Sequence, residues 1–408
     1  MVKGNVIVGQ SGGPTSVINS SLVGVYQGAK EAGVEKVYGM RNGIEGLLSR
    51  RYVDMDDYIK SNIDIELLKR TPSSFLGTCR YKLPEYEDHE ATYDLLFEIL
   101  KELDVKYFFY IGGNDSMDTI KKLANRAEEI GSEIRFMGVP KTIDNDLAVT
   151  DHTPGYGSAA KYIASAMKEI IRDVKTYPSE SITIVEIMGR NAGWLTAASA
   201  LSRAEDCSGP DLIYLPECEF DYDKFVKKVK EEKEKKKAVV IAVSEGLKTA
   251  DGKYVCEANK SAVFEDSFGH KSLGGTALYL ADFIGAQTGV KSRGIVFSTL
   301  QRCASHIVSR RDITEAFMAG AEAAQAAFRG ETGKMIIFIR TSNQPYNITC
   351  ATYDVNKIAN VEKVVPQEWI CNDNTYVTDE FLNYCRPLII GELEPFMVDG
   401  LPRHLFID

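Results

Sequence analysis

A chain of 408 residues exceeds what one hydrophobic core usually serves, so two α/β lobes are expected before any motif is read. With 44% hydrophobic and 26% charged residues, the composition is globular and excludes disorder or a fibrous repeat. A formal net charge of −10 opposes nucleic-acid backbones and anionic lipid, so no nucleic acid or membrane partner is expected and any phosphate must be held by a local site.

No apolar run reaches the ~18 residues of a membrane span. The N-terminal MVKGNVIVGQSGG lacks the pattern of a secretory signal, and the expected location is cytoplasmic. The eight cysteines contain no C-x-x-C pair and the five histidines do not cluster with them, which argues against a zinc site or a disulfide framework.

In chain order, short β-branched or aromatic runs predict strands at Asn5–Val8, Lys106–Ile111, Ile134–Val139, Ile182–Ile187, Leu212–Leu215, Ala238–Val243, Gly294–Thr299 and Lys334–Ile339. Near-continuous apolar strands of this kind belong to parallel sheets buried on both faces. Helical patterns fall between them, including Thr92–Leu103, Met117–Ile130, Ala159–Val174 and Thr314–Phe328. The alternation gives an α/β class with mainly parallel sheets. The mixed charges of Asp221–Lys237 read as a solvated surface helix. Beyond about Ser342 the sequence offers no legible chemistry.

Three of the predicted strands run into loops suited to anions. The first ends in Gly9-Gln10-Ser11-Gly12-Gly13-Pro14-Thr15, where Gly12 and Gly13 let backbone approach a phosphate, although glycine is also common at such turns for steric reasons. The second leads to Gly112-Gly113-Asn114-Asp115-Ser116, where Asp115 suits Mg2+ or, alternatively, caps the following helix. The third reads Pro140-Lys141-Thr142-Ile143-Asp144-Asn145-Asp146. Carboxylates beside a lysine at a strand end supply what phosphoryl transfer needs, a base for the attacking hydroxyl and a cation for the moving group; a plain turn is the competing reading.

SGGP, GGND, PKTIDND, VEIMGRNAG and LQR, in this order, resemble the phosphofructokinase family from about Val6 to past Arg302. The resemblance implies two Rossmann-like three-layer lobes with the site in the cleft between them. One lobe would span residues 1–150, completed by part of 300–408, and the other 151–300. It implies that Asp144 is the base for the 1-hydroxyl of fructose 6-phosphate, with Thr142 beside it. Met188, Gly189 and Arg190 would contact the sugar phosphate and the transferring group, and Glu245 the sugar hydroxyls. Arg293, contributed by a neighbouring subunit, and Arg302 would grip the 6-phosphate, with Thr299 in the same pattern. Arg80, Gly12, Gly13, Gly113, Asp115 and Lys141 would face the donor, and Asp115 and Asn114 would hold Mg2+. A homodimer or homotetramer with shared sites follows.

ATP-using members of the family typically carry Gly-Gly-Asp-Gly in the second loop and glycine before Thr-Ile-Asp, where this chain has Asp115 and Lys141. The resemblance places Asp115 where a nucleotide's α-phosphate would lie, and like charges so juxtaposed cost on the order of several kcal/mol. Pyrophosphate is therefore the expected donor, in a reversible reaction, with an ATP-dependent phosphofructokinase as the alternative. A non-catalytic sugar-phosphate sensor fits poorly, since binding alone needs no base. A dinucleotide-binding dehydrogenase is excluded because GQSGGPT lacks the G-x-G-x-x-G spacing. Three positions depart from the pattern: Asn114 for the usual aspartate, Ser181 for an arginine, and Thr299 for histidine or tyrosine. Grip on the 6-phosphate is then rearranged, or borrowed from Lys161 or His306.

Overall fold

Runs of buried β-branched and aromatic residues form the strands of two sheets in the computed structural model, which describes residues 3–258, 273–358 and 362–407. In chain order the strands are β1 Asn5–Gln10, β2 Val37–Met40, β3 Tyr52–Asp54, β4 Val105–Gly112, β5 Arg135–Pro140, β6 Ser181–Ile187, β7 Leu212–Tyr214, β8 Ala238–Ser244, β9 Ser292–Val296, β10 Lys334–Asn343 and β11 Tyr346–Asp354. Among the described residues the larger sheet has the order β11-β10-β5-β4-β1-β2-β3 and the smaller β7-β8-β6-β9. The smaller sheet is parallel throughout, and the larger is antiparallel only at its two margins, where β2 meets β3 and β10 meets β11.

The strands absent from the sequence reading have physical reasons to be quiet. β2 and β3 span only four and three residues, too short for a period to show. β11 is largely half-exposed, so YNITCATYD carries no continuous apolar run. β10 extends past its buried MIIF core through exposed residues to Asn343, which pairs with Tyr346.

Helices cover the sheets. The helix Ile18–Glu31 packs along Arg310–Phe328 at backbone contact distance. A Cβ at Gly24 would lie 2.2 Å from the Phe317 carbonyl oxygen, and one at Gly320 2.0 Å from that of Ser21. Glycine at these positions lets the helix Arg310–Phe328 close onto Ile18–Glu31. No helix among the described residues is long and apolar enough to cross a membrane.

A buried polar network joins the segment after β5 to this later helix and to the β10–β11 hairpin. His152, 1% exposed, sits between Asp151 Oδ2 and Glu315 Oε2, each at 2.7 Å. Arg340 donates to Asp151 at 2.7 Å and the Tyr346 hydroxyl to Glu315 at 2.9 Å. Burial works against an imidazolium here, but the hydrogen bonds it donates to its two carboxylate neighbours outweigh it, and the His152 pKa lies above its ordinary value of 6.5. A raised folded pKa means that this stabilisation is complete below about pH 6.5 and is lost as pH rises through the folded value. Replacing His152 by Leu leaves the two carboxylates buried without their shared cation. The expected loss is about 3 kcal/mol, larger at pH 6 than at pH 9 in denaturant titrations; an equal loss at both would show that folding does not raise the His152 pKa.

Candidate active site

β1, β4 and β5 are sheet neighbours, so the loops at their carboxyl ends lie side by side. Backbone bonds lock the row. Ser11 N–H donates to the Ile111 carbonyl and Lys141 N–H to that of Gly112, both at 3.0 Å. Residues 78–80 close one end, with Gly12 N–H on the Cys79 carbonyl at 3.1 Å and the Thr78 hydroxyl on the Gly12 carbonyl at 2.7 Å.

In the smaller sheet β6 lies between β8 and β9, which brings Met188–Arg190, Glu245, Gln301 and Arg302 to one edge. Met188 N–H donates to Gln301 Oε1 at 3.3 Å, and Gly189 N–H to Glu245 Oε1 at 3.4 Å. Gly246 is required for this closure: a Cβ there would lie 1.9 Å from the Arg190 carbonyl oxygen and 2.7 Å from that of Gly189.

Lys141 is the centre of the first row. It is 3% exposed, and its ammonium donates to the Gly13 carbonyl at 2.7 Å. Burial pushes its pKa down to about 8, opposed by the attraction of Asp144 and Asp146 and reinforced by Arg302 and Arg80. The glycine loop lies against these cations: a Cβ at Gly12 would be 3.3 Å from Lys141 Nζ, and one at Gly13 3.2 Å from Arg302 Nη1. Arg302 thus reaches the first loop. The Arg80 pKa is lowered by burial and by Arg302 and Arg190, with Asp115 acting the other way.

Asp144 is held by Thr142, whose hydroxyl donates to Asp144 Oδ2 at 3.3 Å and accepts from Asp144 N–H at 3.1 Å. Burial raises the Asp144 pKa, against Lys141, the Thr142 bond, Arg190 and Arg302. Asp146, quoted in the motif but given no role from sequence, is pushed up to about 7 by burial and then by Asp144 and Glu362. Glu245 is pushed up to about 8, chiefly by burial, with the Gly189 amide opposing and Asp144 and Glu186 adding. Carboxyls poised near neutrality beside buried cations are the electrostatic mark of a site that handles protons and anions.

The reading of Asp115 as the cap of the second-loop helix is not met. The helix runs Asn114–Glu129, its cap position is Gly113, and no side chain bonds there. Asn114 and Asp115 occupy the first turn, where a carboxylate is favoured by the helix dipole. Asn114 Oδ1 is buried and accepts no hydrogen bond.

Arg293 and Thr299 stand apart. Arg293 is exposed on the edge strand β9, level with Thr183, four residues before the end of β6. At about 3.3 Å per residue that is about 13 Å from the mouth where Met188 begins. Thr299 is exposed at the start of a short helix. Lys161 is engaged elsewhere, its ammonium donating to the Gly391 carbonyl at 2.8 Å, and His306 is exposed in a single helical turn.

Two facing rows of strand-end loops, one glycine-rich with a buried lysine and carboxyls and one carrying two arginines and a carboxyl, define a phosphotransferase of the α/β class. The phosphofructokinase family profile matches residues 5–327, and the chain belongs to that family. It is 38% identical to a Halomonas elongata protein named pyrophosphate–fructose 6-phosphate 1-phosphotransferase, over 99% of this chain and 96% of the relative. It is 31% identical to an Alkalicoccus urumqiensis sulfofructose kinase, over 91% and 93% of the two chains. The crystal structure of the pyrophosphate-dependent phosphofructokinase from Nitrosospira multiformis superposes with a TM-score of 0.88 at 36% identity, covering 98% of this chain and 95% of that one.

Gly246→Ala is expected to push the 189–190 turn aside and to lower kcat/KM by about 10²-fold. The overpacking costs about 1–3 kcal/mol of stability. Steady-state kinetics alongside thermal unfolding checks this; native kinetics would show that the turn has room to move.

Proposed function

We propose that the chain transfers a phosphoryl group reversibly from pyrophosphate to the 1-hydroxyl of fructose 6-phosphate. The observation that carries this is the Lys141 ammonium, buried against the Gly13 carbonyl between the first and third loops, with Asp115 in the first turn after the second. A compact cation on one side and a carboxylate on the other suit two phosphates and oppose the α-phosphate of a nucleotide. Curated relatives at 38–40% identity over 99% of the chain carry the pyrophosphate name.

In this reading Gly12, Gly13, Gly113 and Arg80 line the donor, and Lys141 and Arg190 stabilise the charge that develops on the moving group. Thr142 orients Asp144, whose carboxylate takes the proton of the 1-hydroxyl. The sugar oxygen then bonds to phosphorus as the bridging P–O bond breaks and inorganic phosphate leaves with the electron pair. Met188, Gly189 and Glu245 hold the sugar, and Arg302, with the partner's copy of Arg293, its 6-phosphate. The exposed edge position of Arg293 supports a contribution across subunits, hence a homodimer or homotetramer with shared sites. Lobes of residues 1–150, completed by part of 300–408, and 151–300 would enclose the cleft, in the cytoplasm.

Asn114 and Asp115 would hold Mg2+, and the unbonded buried Asn114 Oδ1 fits that role. Among the described residues there is no cluster of three His, Cys, Asp or Glu for a protein-only cage. That suits an ion taking most of its oxygens from phosphate and water. Bound there, it would neutralise charge on the donor oxygens.

The test is a coupled assay with pyrophosphate or ATP at matched magnesium. Turnover with pyrophosphate and little with ATP is expected; efficient use of ATP alone overturns the donor assignment. Asp144→Ser is expected to lower kcat by about 10³-fold while fructose 6-phosphate binding, measured by calorimetry, stays nearly intact. A variant with native turnover removes Asp144 from the role of base.

A further inference from the structure

The segment 362–365 is bonded to both loop rows. Lys363 N–H donates to the Asp146 carbonyl at 2.7 Å, and Glu362 pairs with Leu147 as an isolated antiparallel bridge. On the other side Asn191 Nδ2 donates to Glu362 Oε1 at 3.1 Å, and Trp194 Nε1 to the Lys363 carbonyl at 2.9 Å. Val365 N–H and Gly193 N–H share Glu217 Oε1, at 2.9 and 2.8 Å. A stretch of chain beyond the recognisable motifs thus buckles the loop after β5 to the loop after β6.

The Lys363 side chain aims inward. Its ammonium donates to the carbonyls of Asp151 at 2.8 Å and Thr150 at 3.1 Å, and to Asn145 Oδ1 at 3.4 Å. All three of its donors are thereby used. It also lies 5.2 Å from the centre of the Trp194 ring. Asn145 is fully buried and has φ of 55°, a left-handed backbone uncommon outside glycine. Its side chain is held on every side: Oδ1 also accepts from Thr153 N–H at 3.1 Å, and Nδ2 donates to the Tyr384 hydroxyl at 2.9 Å. Asn145 is the residue between Asp144 and Asp146, so its backbone sets where both carboxylates point.

We propose that Lys363 is a positioning residue for phosphoryl transfer, fixing through Asn145 the loop that carries Asp144. The proposal rests on Asp144 being the base. The Lys363 ammonium is spent on Asn145, Thr150 and Asp151; it acts by removing the loop's freedom to relax out of its left-handed turn. Displacements of about 1 Å at a reacting group cost about 10²-fold in rate. Loss of the clamp therefore falls on kcat, because Lys141 on the same loop is fixed separately by its bonds to Gly112 and Gly13, and the remaining donor and sugar contacts lie on other loops.

In the full-length enzyme, Lys363→Met is expected to lower kcat by about 30- to 100-fold with KM for fructose 6-phosphate and pyrophosphate within about 3-fold of native. Asn145→Ala is expected to do the same, and the double variant to be no slower than the slower single, because both changes break one linkage. A kcat within about 2-fold of native, additive losses, or a rise in KM at unchanged kcat overturns the proposal. If the methionine variant fails to fold, Asn145→Ala alone gives the same readout. Asp144→Ser in the same assay separates the two levels. If it retains turnover, the base assignment and this proposal fall together; if it is inactive while Lys363→Met is fast, only the role of Lys363 falls.

Discussion

The site depends on one buried hydrogen bond, from the Lys141 ammonium to the carbonyl of Gly13. An ammonium 3% exposed would be costly without partners, and its pKa of about 8 shows how far burial has already gone. The bond ties the end of β5 to the end of β1. The amide of the same lysine ties it to Gly112 at the end of β4. One residue therefore ties three loops together.

Around it the charges are arranged in opposition. Arg80, Arg190 and Arg302 bear on the same region as Lys141, and Arg80 is lowered partly by the other two arginines. Asp144, Asp146 and Glu245 crowd the other side, all raised chiefly by burial. Each set repels itself, and each is relieved by what the proposed reaction brings: phosphate oxygens for the cations, a proton for the carboxyls. Pre-placed charge of this kind acts on the transition state without having to reorganise during the reaction.

Much of the fold was legible because buried parallel strands announce themselves as apolar runs. KYFFYI and AVVIAVS lie in β4 and β8, and the loops that follow them carry the glycines and carboxylates of the motifs. What stayed hidden depended on tertiary contact. β11 is half-exposed and has no apolar run to betray it. His152 is pinned by Glu315, 163 residues away. Lys363 lies in VEKVVP, a stretch without motif or period, and reaches Asn145 from 218 residues along the chain. Spacing in sequence carries no trace of such pairs. Arg302 also illustrates the limit: its place in LQR was evident, but its approach to Gly13 emerges only when the two sheets face each other.

The most direct measurement is a crystal structure of the enzyme with magnesium and methylenediphosphonate, a pyrophosphate mimic whose bridge does not cleave. A phosphonate oxygen about 3 Å from Lys141 Nζ, with the second phosphonate group ending beside Asp115, is the expected result. A diphosphonate bound away from Lys141, or one leaving an open channel past Asp115 wide enough for a nucleoside, would contradict it.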